Sequence, residues 1–262
     1  MSRMLAFAAR TPLPTAAAVG ADVLAQFRAL SRLHADGWGT AWLDPASRDV
    51  MTAGGRDAAG HSDEWETTLS RPSAARIVYL RFASGGAPAS PENAQPFLRN
   101  GTAFQHNGLL APREDALALL TEEARSGLTG TTDSEAYFAV VRGATGGGSL
   151  TTATELAHGV RLVRDAFPVA CLNAMLLTPA GLFVVHAAGS APVPLAAFAR
   201  RGADMSNLPP GHDDDYNVLR TSVTLTGARV VATTGVDQSG WDVLDTESVL
   251  RVTPDAVIGT EV

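Results

Sequence analysis

Cys171–Ala187, CLNAMLLTPAGLFVVHA, is two apolar runs hinged on Pro179-Ala180-Gly181. Each run has the length of an ordinary strand, and the hinge residues turn the chain back. The stretch therefore predicts a β-hairpin, Cys171–Thr178 against Leu182–Ala187. Downstream, past a polar, Pro-rich stretch at 201–215, Tyr216–Leu225 and Ala228–Thr234 predict a second hairpin across Thr226-Gly227. Upstream, the β-branched and aromatic residues of Ile77–Ala83 (IVYLRFA) predict a central strand, and Thr102–Gln105 another. Residues 2–9 (SRMLAFAA) predict a short buried strand broken by Pro12 and Pro14, and His34–Leu43 a Gly-bounded loop with a strand-like end. Residues 54–63 and Gly85–Pro96 read as loops.

Helical spacing of Val19, Val23, Leu24, Phe27 and Leu30 predicts an amphipathic helix over Thr15–Leu33. Further helices are predicted over 113–125, over Ala136–Val141 behind Thr132-Asp133-Ser134-Glu135, and through Leu156, Val160, Val163 and Phe167. Thr132 and Glu135 have capping-box spacing. Strands that come in hairpins, with helices grouped between them, argue for an α+β fold of antiparallel sheets packed with helix layers rather than βαβ units. The Gly-rich loop at 143–149 is too short to separate domains, so one domain over residues 1–262 is expected.

Composition narrows the chemistry. Hydrophobic residues make up 45% and charged residues 18% of the 262, enough apolar material for a sizeable core. The net charge of −7 argues against nucleic acid as a partner. All 20 basic residues are Arg, which removes a Walker lysine, a Schiff base and a Ser-x-x-Lys nucleophile. Cys171 stands alone, so internal disulfides and thiolate metal cages are excluded, and its apolar surroundings read as core. No His pair has metal-binding helical spacing, and His212-Asp213-Asp214-Asp215 reads as a solvated acidic loop. No Gly-x-Ser-x-Gly elbow occurs. No cofactor is expected. No apolar run reaches the ~18 residues of a membrane helix, and Arg10 stops Met4–Ala9 short of a signal-peptide core. A cytoplasmic protein without a membrane partner is predicted.

Four segments put polar or glycine residues at the ends of apolar elements, where sites are commonly assembled: Met1-Ser2-Arg3, Asp36-Gly37-Trp38-Gly39, Leu80-Arg81-Phe82-Ala83-Ser84, and His106-Asn107-Gly108 with Thr132–Glu135 downstream. Each has a bland alternative. Arg81 reads equally as a surface charge, Asn107-Gly108 as a turn, and Thr132–Glu135 as a helix cap alone.

Taken jointly and in order, MSRMLAF, HADGWGTAW, YLRFASGG, PENAQPF, FQHNGLL and GTTDSEAYF, followed by LLTPAGLFVVH and VVATTGVDQSGWDVL, resemble the class II (N-terminal nucleophile) glutamine amidotransferases. The likeness is greatest to the compact branch that includes the amidohydrolase of ergothioneine biosynthesis, and it runs nearly end to end. It implies a four-layer αββα sandwich of two antiparallel sheets. It also implies hydrolysis of a γ-glutamyl amide, either glutamine or a γ-glutamylated small metabolite. By that resemblance the initiator Met is removed and the side chain of residue 2 attacks the amide. The new α-amine, of pKa ~8, serves as base, commonly through a water. Asn107 (side-chain amide) and Gly108 (N–H) would form the oxyanion hole. Arg81 would grip the substrate α-carboxylate with help from Ser84, Asp133 would pair with its α-ammonium, and His106 would line the same pocket.

Two departures stand out. Residue 2 is Ser where the family has Cys, read either as a natural nucleophile or as an engineered Cys replacement, and an alcohol is a far weaker acid than a thiol. Gln95 stands where the family has His. A catalytically silent amino-acid-binding relative, and an acyltransferase for another amide, remain as alternatives. A separate acceptor or synthase partner is expected only if released ammonia is passed on, since no synthase half is recognisable.

Overall fold

Every strand pairing among the described residues is antiparallel. The computed structural model describes residues 2–83, 88, 90–146, 148 and 150–262; the predicted site residue Ser84 and the initiator Met1 lie outside them, as do parts of the predicted loops at 85–96 and 143–149. One sheet has seven strands in the order β11 (Asp242–Val243), β9 (Leu219–Val223), β10 (Arg229–Thr233), β1 (Arg3–Leu13), β4 (Ser73–Leu80), β2 (Trp38–Leu43) and β3 (Val50–Gly55). The other has six, in the order β13 (Val257–Glu261), β12 (Ser248–Val252), β8 (Gly181–His186), β7 (Asn173–Thr178), β6 (Thr102–Asn107) and β5 (Phe97–Arg99).

Side-chain alternation sorts the apolar residues into three layers. Met4, Ala6 and Ala8 of β1, Ile77 and Tyr79 of β4, and Ala103, Met175, Leu177 and Val184 from the second sheet meet between the sheets. Leu5, Phe7, Val78 and Leu80 face the opposite way, onto helices at Ala21–Ala29 and Asp63–Leu69. Phe104, Leu176 and Phe183 pack on helices Asp133–Ala144 and Ala153–Ala166. The result is the αββα sandwich that the hairpin pattern and the resemblance imply.

Both predicted hairpins form, the first with Thr178 paired to Gly181 and only Pro179-Ala180 in the turn. Several boundaries differ for local reasons. β1 runs to Leu13 through Pro12, because burial ends at Ala9 and the exposed end tolerates a residue without an N–H. The long first helix breaks at Gly20, whose φ of 94° leaves the helical region, giving Thr15–Val19 and Ala21–Ala29. The 113–125 helix is two short ones, Arg113–Ala118 and Glu122–Ser126. Thr132 caps its helix by accepting from the Glu135 N–H, but the Glu135 carboxylate turns instead to the N–H groups of Thr129 and Gly130; the reciprocal box forms at Thr152 and Glu155. Val50–Gly55, Phe97–Arg99 and the Asp63–Leu69 helix escaped the periodicity reading because each is short.

His212 corrects the solvated-loop reading. Asp213–Asp215 are exposed, but the His212 ring is buried, with its Nε2 3.2 Å from His34 Nε2 and Phe198 and Tyr216 around it. Burial first, then the Arg3 charge, holds both imidazoles neutral, His34 well below its ordinary value and His212 down to about 3. The unfolded chain takes up these protons near pH 6.5 and the native state refuses them. Stability is therefore intact above that pH and falls below it by about 1.4 kcal/mol per histidine per pH unit. Thermal melts from pH 8 to 5 should show Tm falling below about 6.5, and a His34→Phe/His212→Phe protein should show a shallower fall; an unchanged slope would exclude this pair as its cause.

Candidate active site

The polar groups collect where the two sheets end together. Ser2 precedes β1 and has the same facing as Met4, toward the gap between the sheets. Tyr79 and then Arg81 follow Ile77 into the same gap, since Arg3 pairs with Leu80 across β1 and β4. On the facing sheet, Gln105 reaches across to the Val78 carbonyl at 3.2 Å, so Asn107, two residues on, also faces inward.

Ser2 is buried, and its Oγ lies 2.5 Å from the Tyr79 hydroxyl and accepts from the Phe82 N–H at 3.1 Å. The Tyr79 hydroxyl in turn lies 3.5 Å from the His106 carbonyl, which brings Ser2 beside the end of β6. Burial pushes the Tyr79 phenol well above its ordinary range, while the charges of Arg81 and Asp133 act on it in opposite directions. The Asn107 amide is fully buried, yet neither its Nδ2 nor its Oδ1 has a hydrogen-bond partner among the described residues. An orphaned buried amide costs ~1–3 kcal/mol, a strain characteristic of a group kept for a ligand. The Asn107 backbone is fixed, its carbonyl accepting from the Cys171 thiol at 3.0 Å. Burial raises that thiol to about 11, so it stays a protonated donor.

Gly108 is required sterically. A Cβ there would lie 1.8 Å from the Cys171 carbonyl oxygen. His106 alternates to the other face, where Nδ1 meets Ser134 Oγ at 2.9 Å and Nε2 meets the Cys171 carbonyl at 3.0 Å. Its side chain thus braces β6 against the helix layer rather than joining the inter-sheet gap. Asp133 opens the helix Asp133–Ala144 and accepts from the Leu110 N–H at 2.7 Å, pinning the loop that follows Gly108. Arg81 is 8% exposed, not a surface charge, and shares a small cleft with Tyr79, Asp36, Trp38 and Gln95. That cleft is narrow, with about 10 Å³ of free space.

Several further residues hold these groups in place. Asp36 accepts from the Ala83 N–H and from Arg201, both at 2.6 Å, while the Arg81 N–H donates to Gly37. This clamp aims the Phe82 N–H at Ser2. The Gln95 amide oxygen accepts from the His106 N–H at 2.6 Å, giving the departure from the family His a defined role in holding the pocket loop to β6. The Arg3 guanidinium is buried over the Tyr216 ring and donates from Nε to the Ser2 carbonyl at 2.6 Å. Tyr79 was visible in YLRFASGG but not distinguishable there from an ordinary strand aromatic.

The family model described as glutamine amidotransferases class-II matches residues 1–166. The chain belongs to the class II glutamine amidotransferases. No curated protein matches it in sequence. Among solved structures, the chain is similar to a glutamine aminotransferase class-II domain protein from Silicibacter pomeroyi (14% identity, TM-score 0.63, covering 99% of this chain and 98% of that one). It is similar also to a predicted glutamine amidotransferase from Pseudomonas aeruginosa (16%, TM-score 0.54, 98% and 99%). A third likeness is to the glutamine phosphoribosylpyrophosphate amidotransferase of B. subtilis (14%, TM-score 0.62), where it covers 99% of this chain and 49% of that one. At such identities these neighbours speak for the fold. No helix of the described residues is long and apolar enough to cross a membrane.

Gly108→Ala should lower stability by about 1–3 kcal/mol, because the new methyl meets backbone that β7 and β6 hold in place. At about 2–4 °C per kcal/mol, a thermal melt should show Tm down by several degrees; an unchanged Tm would mean that the Asn107–Gly108 loop opens freely.

Proposed function

We propose that this amidotransferase hydrolyses a γ-glutamyl amide, with Ser2 as nucleophile, Asn107 and Gly108 as oxyanion hole, and Arg81 and Asp133 as the head-group contacts, all within one domain over residues 1–262. The observation that carries the reading is the Asn107 amide, buried without a partner among the described residues in the same inter-sheet gap that holds the Ser2 hydroxyl. Arg81 and Asp133 bring opposite charges near that gap, as a zwitterionic amino acid requires. Ser84 remains part of the proposal by resemblance alone, and His106 enters it as the brace for β6.

In the proposed reaction, the α-amine freed by removal of Met1 takes the Oγ proton, commonly through a water, as Oγ bonds to the amide carbon. The carbonyl π pair moves onto oxygen, facing the Asn107 amide and the Gly108 N–H. The ammonium then passes its proton to the departing nitrogen, the C–N bond breaks, and ammonia or an amine leaves a γ-glutamyl ester on Ser2. Water adds to the ester, the C–Oγ bond breaks, and glutamate is released as Oγ regains a proton. The substrate is a small molecule, and a separate ammonia acceptor is needed only where the released nitrogen is passed on.

Ser2→Ala should abolish release of glutamate from L-glutamine or γ-glutamyl-p-nitroanilide while calorimetry still detects L-glutamine binding. Turnover that survives Ser2→Ala would end the nucleophile assignment. A wild-type protein that binds glutamine without turnover would establish the silent-relative reading instead. Because the base must be unprotonated, kcat/KM should rise with pH to a plateau above about 8, and acetylation of the α-amine should remove it.

A further inference from the structure

Among the described residues, Tyr79 is the one polar side chain that touches the Ser2 hydroxyl without a place in the reaction as written. We propose that Tyr79 is a catalytic residue matched to the serine: its phenol O–H and the Phe82 N–H together hold negative charge on Ser2 Oγ, both as the nucleophile forms and as the ester is broken. The inference rests on Ser2 being the nucleophile.

Four observations support it. The phenol oxygen is 2.5 Å and the Phe82 nitrogen 3.1 Å from Oγ, so two donors converge on one oxygen. In the resting pair either hydroxyl can donate, but once Oγ has lost its proton only Tyr79 has one to give. The other acceptor near Tyr79, the His106 carbonyl, is at 3.5 Å, the outer limit of a hydrogen bond, and offers little competition. Burial keeps the phenol protonated at any working pH, so it is a donor and not a base. The Asp36 clamp on Ala83 and the pairing of β1 with β4 fix both donors without reorganisation.

The need follows from the serine. A thiol ionises readily, and a thiolate leaves readily; an alcohol does neither. In the attack, the Oγ proton goes to the α-amine while the Tyr79 proton stays on the phenol and is shared in a shortened O–H···O⁻ bond. In ester hydrolysis the C–Oγ electron pair returns to Oγ, again against the same two donors, until the attacking water's proton reaches it through the amine. A sulfur at residue 2 would be too large for the 2.5 Å contact and would carry diffuse charge that gains little from the phenol. Tyr79 is thus the feature of the site that favours oxygen over sulfur, and it makes Ser2 a natural nucleophile rather than a damaged one.

The test is a double-mutant cycle on the full chain, with γ-glutamyl-p-nitroanilide and L-glutamine as probes. Tyr79→Phe should reduce kcat by ~10²–10³ with KM within about twofold, the loss typical of one donor to a developing oxyanion. In a Ser2→Cys protein the same Tyr79→Phe change should alter kcat less than about fivefold. An equal loss in both backgrounds, or no loss with Ser2, overturns the proposal. Retained turnover in Ser2→Ala would overturn the parent reading instead, so the two failures are distinct. If Tyr79→Phe does not fold, difluorotyrosine at position 79 keeps the shape and makes a stronger donor. It should raise kcat with Ser2 and leave the Ser2→Cys protein unchanged; equal response in both would sink the idea.

Discussion

Burial of Met4, Ala6, Ile77, Met175, Leu177 and Val184 between the two sheets is the constraint on which the site depends. An apolar layer of that kind tolerates no register slip, because a shift of one residue in β1 or β4 would turn Ser2 or Tyr79 toward the helices and expose Leu5 or Val78 to the gap. Once the register is set, the residues just past the strand ends have no freedom in which way they face. Ser2 meets Tyr79, and Asn107 faces the same gap, because the hydrophobic residues before them set that facing.

The surrounding polar network keeps that convergence open. Among the described residues the Asn107 amide has no partner while its backbone is tethered by Cys171, and Gly108 is held so close to the Cys171 carbonyl that no side chain fits. Asp36, Arg201 and Gly37 fix the segment Arg81–Ala83 from the other side. The lone cysteine, which a motif reading treats as inert filler, is therefore a brace for Asn107 and Gly108. His106 has a similar task, with both ring nitrogens engaged away from the gap.

The charge arrangement is economical. Arg3 is fully buried, and its Nε and Nη1 donate to carbonyls and the Thr234 hydroxyl while the guanidinium lies over the Tyr216 ring. Its field helps keep His34 and His212 neutral. Arg81 and Asp133 act on the Tyr79 phenol with opposite sign.

The hairpins, the helix pairs and hence the sandwich class were legible in the sequence, because apolar period and turn residues act locally and leave a local trace. Ordered motifs also identified Ser2, Arg81, Asn107, Gly108 and Asp133 as residues to watch, through resemblance rather than through any one pattern. Short elements such as Val50–Gly55 and Phe97–Arg99 were not legible, since their pairing depends on neighbours already in a sheet. Neither was the pairing of His34 with His212, 178 residues away, nor the approach of Tyr79 to Ser2 across 77 residues. Sequence determined which side chains are apolar and how they alternate. Only the stacking of two sheets decided which polar residues meet, because that contact is set by the packing of the strands before them and leaves no periodic signature in the chain.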